Sequence, residues 1–173
     1  GDVVQTKDNG PQIISWIGSR RMTGARFFAM PELRPLRLQA NALGLDIPDN
    51  GLLVSPQHRL VVKGPAAQDL FNVSEVLVAA KDLVNDTTIR VDHNVRAVTY
   101  IHLLFDTHQV LWANGVETES FHPASAALAT LDDADRARLL AAHPDLATDP
   151  HTYGSFARRS LSASEAAILN HAA

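Results

Sequence analysis

Short apolar runs separated by turn residues dominate the first two thirds of the chain. Runs rich in β-branched and aromatic residues recur between Asp2 and Glu119, among them QIISWI, PLRLQA, HRLVV, EVLVAA, TTIRV and AVTYIHLLF. Asn-Gly pairs, which favour tight turns, occur at Asn9-Gly10, Asn50-Gly51 and Asn114-Gly115. Because no long helical pattern separates the runs, the sequence predicts an all-β fold rather than βαβ units.

The sequence changes character after Pro123. The Ala- and Leu-rich segment SAALATLDDADRARLLAAHPDL predicts a helix that is capped by Thr130 and ends at His143-Pro144. A Ser-x-x-Glu capping box in Ser162–Leu169 predicts a short final helix. We therefore divide the chain into a β domain at residues 1–122 and a helical extension at residues 123–173. The leucines that we expect to dock this extension on the β domain are Leu128, Leu131, Leu139 and Leu140.

Two local patterns within the β domain carry further expectations. The run TYIHLLFDTHQVLWANG predicts a β-hairpin with its turn at Asp106-Thr107. The apolar segment Ala25–Met30 predicts one or two turns of helix inside the β region.

Charge and composition exclude several classes of protein. The formal net charge is −4 and the pI is near 6.0, which argues against a partner that is nucleic acid or an anionic membrane. No apolar run approaches the length of a membrane span. The 173 residues contain no cysteine, so disulfides, thiolate metal sites and a cysteine nucleophile are excluded within them.

Three segments contain residues suited to catalysis. Ser55 and His58 lie in the turn SPQH, His108 lies in FDTHQVLWANG, and Glu117–Ser120 forms an acidic and hydroxyl cluster. Taken alone, each is typical of solvated turns or strand ends.

A metal site is an alternative use of the histidines. Imidazoles from neighbouring strands can bind zinc, and the set would be drawn from His58, His102, His108 and His122. The histidines show no dense ligand spacing such as HExxH, so we expect no metal and no other cofactor.

The order of these motifs resembles that of the Hint (Hedgehog/intein) superfamily, and most closely its bacterial members. Ser55–His58 is similar to the family's Thr-x-x-His motif, with Ser retaining the hydroxyl. Tyr100, His108 and Ala113-Asn114-Gly115 are similar to its late motif. The opening GDVVQTKDNGPQIISWIGSRR resembles an internal Gly-Asp-x-Val-x-Thr segment. The resemblance covers most of residues 1–123 and implies the family's fold of short twisted strands.

Self-cleavage is the activity that this resemblance implies. In active members a Cys or Ser at the start of the domain attacks the preceding carbonyl and converts an amide into a thioester or ester. By motif, His58 would protonate the leaving nitrogen, Ser55 would orient the scissile peptide, and His108 would assist the second stage. The reaction would be a single-turnover autoproteolysis at most.

Two departures from the family pattern modify this expectation. The opening segment lies about two strands after the nucleophile in the family, so we expect that the nucleophile and its strands are missing here and that these 173 residues are inactive alone. The His-Asn pair that completes splicing is replaced in Glu117–Glu119, and Ile101 replaces an Asp of the late strand. Cleavage without splicing is therefore expected.

Partners follow from the same reasoning, and one alternative function stays open. The first partner would be the chain's own N-terminal flanking segment. Exposed sheet edges would favour a homodimer or strand exchange. The resemblance suggests secretion, because similar bacterial domains often belong to large secreted proteins. The alternative is a degenerate Hint fold that acts as a non-catalytic structural or interaction module of a larger bacterial protein.

Overall fold

Short strands make up most of the N-terminal two thirds of the protein. The computed structural model describes residues 1–125, 128 and 131–172. The strands are β1 (Val3–Thr6), β2 (Gly10–Ile13), β3 (Trp16–Thr23), β4 (Leu36–Leu38), β5 (Leu52–Val54), β6 (Arg59–Lys63), β7 (Glu75–Ala79), β8 (Ile89–Val91), β9 (Ala97–Leu104), β10 (Val110–Ala113), β11 (Val116–Glu119) and β12 (Arg159–Ser160). The predicted mainly β class is confirmed.

Helices occur between the strands and in the C-terminal extension. The α-helices are α1 (Gly24–Ala29), α2 (Pro65–Phe71), α3 (Asp133–Ala142) and α4 (Ala163–Ala172). Short 3-10 helices lie at Pro31–Leu33, Ala80–Leu83, Pro144–Ala147 and Pro150–Tyr153. In the described part of the chain, none of the helices has the length and apolar character needed to cross a bilayer.

The largest sheet has five strands in the order β10-β11-β6-β7-β12. Its neighbours are antiparallel except for β12, which pairs with β7 in parallel. The other described sheets are smaller: the hairpin β1-β2, the ribbon β3-β9 and the three-stranded sheet β5-β4-β8. Because β12 follows α3, the C-terminal extension contributes a strand to the main sheet.

The predicted hairpin around Asp106-Thr107 is wrong. β9 pairs with β3 over eight residues, and β10 pairs with β11 instead. The reason is the turn between β10 and β11, where Asn114 and Gly115 have φ of 49° and 77°. Both central residues of a type I′ turn need positive φ, which Asn and Gly adopt easily. The backbone twist of such a turn matches the twist of the two strands it connects, so it favours a two-residue hairpin.

The helix predictions are largely confirmed. Helix α1 overlaps the expected segment Ala25–Met30 but begins and ends one residue earlier, and α3 ends before His143-Pro144. Helix α4 has its capping box: the backbone N–H of Glu165 donates to Ser162 Oγ (3.3 Å), and the backbone N–H of Ser162 donates to Glu165 Oε2 (2.8 Å). The predicted cap Thr130 lies outside the described residues, and the N-cap of α3 is Asp132, two positions later than predicted. Helix α2 was not predicted, although Pro65 in its first turn and a left-handed Asn72 after it are ordinary helix boundaries.

The C-terminal extension packs on the β3-β9 ribbon. The cluster that joins them contains Trp16, Leu104, Phe121, Leu131, Leu139 and Leu146, with Leu128 and Leu140 packed against it. Asp135 adds polar contacts, since Trp16 Nε1–H donates to its carbonyl oxygen (3.2 Å) and Ser19 N–H donates to its Oδ2 (2.6 Å). The extension is therefore a structural layer of the protein.

This packing predicts the effect of one core truncation. Leu139 is fully buried, so Leu139→Ala leaves a cavity and should lower the free energy of unfolding by about 2–5 kcal/mol. Leu45, at 88% exposure, is the matched control, and Leu45→Ala should change the free energy of unfolding by less than about 0.5 kcal/mol. Urea unfolding of both variants measures the difference; equal values would contradict this packing.

Candidate active site

The turn that contains Ser55 and His58 connects two different sheets. It follows β5 of the three-stranded sheet and precedes β6 of the main sheet. The backbone N–H of His58 donates to the backbone carbonyl of Ser55 (3.0 Å). Pro56 occupies the second position of this turn, where β-turns favour proline. The carbonyls of Pro56 and His58 accept N–H groups of Lys81 (3.0 Å) and Ala80 (2.9 Å). These bonds hold the turn in one conformation.

The turn borders a cavity of about 230 Å³. Ser55 and His58 line it together, so the structure brings these two predicted site residues to one place. Polar neighbours in the lining include His102, Thr118, Glu119 and Ser120; apolar neighbours include Ile101, Leu103, Trp112 and Phe121. A cavity with several polar groups among apolar walls is typical of sites that orient a small part of a peptide or ligand.

His58 is held at the cavity by β11. Its ring is half-buried, and its Nε2 contacts the Oγ1 of Thr118. Burial lowers the pKa of His58 below its ordinary value, against the opposing effect of the Glu119 carboxylate. His58 is consequently neutral for most of the time at pH 7. When protonated, it is a stronger acid than an exposed histidine.

His102 is a second titratable group of the cavity. It lies in the middle of β9, half-buried, with its ring 5.1 Å from that of Phe121. Burial, with smaller contributions from His58 and Arg20, lowers the pKa of His102 to about 4. Both histidines of the cavity therefore favour the neutral form near pH 7.

His108 lies next to the cavity, in contact with Glu119 and Ser120, which line it. Side chains alternate along a strand, so Thr118 and Glu119 point to opposite faces of β11. His108 is buried, and its Nε2 lies 3.1 Å from Ser120 O and 3.4 Å from Glu119 Oε2. It is not among the described residues that line the cavity. Unlike Ser55 and His58, His108 is therefore not a lining residue of the cavity, although its charged form acts electrostatically on His58.

Glu119 is a buried carboxylate that connects the two sides. Its Oε1 accepts Arg59 N–H (3.1 Å) and lies 3.7 Å from Arg59 Nη1. Its Oε2 has no hydrogen-bond partner among the described residues. Such a carboxylate needs a nearby cation, because removing a charge from water into a protein interior costs roughly several kcal/mol. Arg59 supplies that cation.

The sequence singled out the segment Glu117–Ser120 but assigned it no role. Its position identifies it: the segment directly follows the Asn114-Gly115 turn and forms most of β11. Strand β11 pairs with β6, which begins directly after His58. Thr118 then faces His58 by strand alternation. Nothing in the sequence identified Arg59 as a site residue except its position next to His58.

The geometry disfavours a metal site made of the four histidines. Each ring nitrogen of His108 bonds to a backbone group, of Ala157 (2.9 Å) and of Ser120 (3.1 Å). Those of His122 bond to Ala124 N–H (3.1 Å) and Gly154 O (3.1 Å). Across the described residues, no group of three or more His, Cys, Asp or Glu side chains is placed to hold a metal ion.

Comparison with known proteins identifies a family. A family model described as a Hint domain matches residues 1–125. No curated protein and no solved structure matches the chain. The match covers the cavity, both β5-β6 turn residues and His108, while the segment that contacts the buried histidines from residue 153 onward lies beyond it.

The burial of His122 predicts acid sensitivity. Burial lowers the pKa of His122 to about 4 from 6.5, so between these values the unfolded chain binds more protons than the folded one. The contribution of His122 to stability is complete above pH 6.5 and is lost as the pH falls towards 4. His122→Asn should reduce this loss in urea unfolding across pH 4–7, whereas the exposed His93→Asn should leave it unchanged. If the free energy of unfolding depended on pH equally in the wild type, His122→Asn and His93→Asn, the assignment of this acid sensitivity to His122 would be contradicted.

Proposed function

This chain belongs to the Hint domain family, and from that membership we propose that it performs Hint-type self-cleavage without splicing. The observation that supports the proposal is the shared cavity of Ser55 and His58, with the ring of His58 held by Thr118. A non-catalytic module would not need a half-buried titratable group fixed beside a hydroxyl in a polar cavity.

The proposed reaction begins with an acyl shift. A Cys or Ser side chain on the N-terminal side of Gly1 attacks the carbonyl carbon that precedes it. The new C–S or C–O bond replaces the C–N bond of the peptide, and the nitrogen leaves as an amine. The 173 residues contain no cysteine, so a cysteine nucleophile would have to lie outside them.

His58 and Ser55 have separate parts in this step. The leaving nitrogen must receive a proton, because an amide anion is a very poor leaving group. The imidazolium of His58 donates that proton, and its lowered pKa makes the donation more favourable while reducing the fraction that carries it at pH 7. Ser55 orients the scissile peptide from the same turn, which keeps the reacting groups in one geometry.

Cleavage, rather than splicing, completes the reaction. Splicing in this family needs a His-Asn pair, and the corresponding segment here is Glu117-Thr118-Glu119. Thr118 contacts His58, and Glu119 is paired with Arg59. The ester or thioester is instead resolved by water or an external thiol, which takes the acyl group and releases the flanking segment.

The experiment is intact mass spectrometry of the protein with its native N-terminal flanking sequence, fresh and after incubation with a thiol. We expect time-dependent cleavage directly before a Cys or Ser, giving two products and no ligated one. His58→Ala should slow cleavage by roughly 10²–10⁴-fold, the usual contribution of a general acid. The exposed His93→Ala is the matched control and should cleave at the wild-type rate.

One outcome would contradict self-cleavage. A chain that stays uncut under all conditions and cannot be distinguished from His58→Ala would favour a Hint fold that serves as a structural or interaction module.

A further inference from the structure

The segment Tyr153–Ala157 encloses two buried histidines. The ring of Phe156 stacks on His122, with centroids 3.9 Å apart and planes at 16°, and meets the ring of His108 edge-on at 5.5 Å. Tyr153 O–H donates to Phe105 O (2.9 Å). The segment therefore makes aromatic and polar contacts with the strand ends that carry these histidines.

Backbone groups determine where His108 carries its proton. Ala157 N–H donates to Nδ1 (2.9 Å), and Ser120 O lies 3.1 Å from Nε2. A backbone N–H can only donate and a carbonyl can only accept, so Nδ1 is unprotonated and Nε2 carries the hydrogen. In this arrangement His108 has no free lone pair with which to act as a base.

The contact to Ser120 connects His108 with the cavity. Ser120 follows Thr118 and Glu119, and it lines the cavity together with them. Gln109 N–H donates to Ser120 Oγ (3.0 Å), and Ser120 N–H donates to Gln109 O (2.9 Å). His108 adds the third bond to this residue and so fixes the end of β11, on which the contact between Thr118 and His58 depends.

We propose that Ala157 is a positioning residue of the site: its backbone N–H sets the tautomer of His108, which anchors Ser120 and thereby keeps Thr118 against His58. His108 acts in this scheme through Ser120 and transfers no proton itself. The C-terminal segment is then part of the functional unit, although it lies outside the residues matched by the family model. The effect on cleavage rests on the proposed function, whereas the tautomer and the geometry of His58 do not.

The first test is two-dimensional ¹⁵N–¹H NMR of the histidine rings in the 173-residue chain at pH 7. We expect the wild-type His108 ring to carry its hydrogen on Nε2 and none on Nδ1. This measurement needs no variant. A hydrogen on Nδ1 of His108 would overturn the proposal.

The second test compares Ala157→Pro, which removes the N–H, with Ala157→Gly, which keeps it. In the proline variant we expect His108 to populate the other tautomer and the His58 ring resonances to shift, while the glycine variant retains the wild-type signals. His122 is the internal control, because its partners Ala124 and Gly154 are unchanged and its tautomer should persist. A changed His108 tautomer with unmoved His58 resonances would contradict the coupling.

The third test uses the protein with its native N-terminal flank. Ala157→Pro should cleave at least roughly tenfold more slowly than wild type, as when a partner that orients a histidine is lost, and Ala157→Gly within about twofold. Wild-type rates in a proline variant with an altered His108 tautomer would overturn the role in cleavage. If the wild-type protein does not cleave, self-cleavage fails as the function, and the response of the His58 resonances decides the positioning role alone.

Discussion

One antiparallel pairing, between Thr118 of β11 and Leu60 of β6, brings the two halves of the site together. The His58 turn leads directly into β6, and the acidic and hydroxyl segment forms β11. Because the strands are adjacent, His58 reaches Thr118 on one side of this pairing, while Arg59 N–H reaches Glu119 on the other. A shift of one residue would exchange the faces of Thr118 and Glu119 and would break both contacts.

Strand alternation gives the two faces different roles. On the Thr118 side, a cavity holds Ser55 and His58 among polar and apolar groups. Around Glu119 and His108, buried polar groups bond mainly to backbone and to Arg59, as low-dielectric surroundings require. The two histidines singled out by sequence motif therefore have different surroundings. His58 borders the cavity, whereas both ring nitrogens of His108 are hydrogen-bonded to backbone groups.

The C-terminal extension completes the buried side. Without Phe156 and Ala157, the rings of His108 and His122 would each lose neighbours that exclude water or satisfy a nitrogen. An unsatisfied buried polar group costs about 1–3 kcal/mol, which explains why the extension is packed so closely against the strand ends. The extension also adds β12 to the main sheet and α3 to the ribbon.

The sequence by itself determined the mainly β class, the Asn9-Gly10 and Asn114-Gly115 turns, the capping box of α4 and the leucines of the extension, because these depend on local stereochemistry and hydrophobic pattern. It also located the motifs of the family. Only the tertiary structure decided that β9 pairs with β3 rather than β10, and that Ser55 and His58 line a cavity that His108 does not line. Strand pairing and the face that a side chain occupies depend on register between segments far apart in the chain. Alternation within one segment does not contain that information.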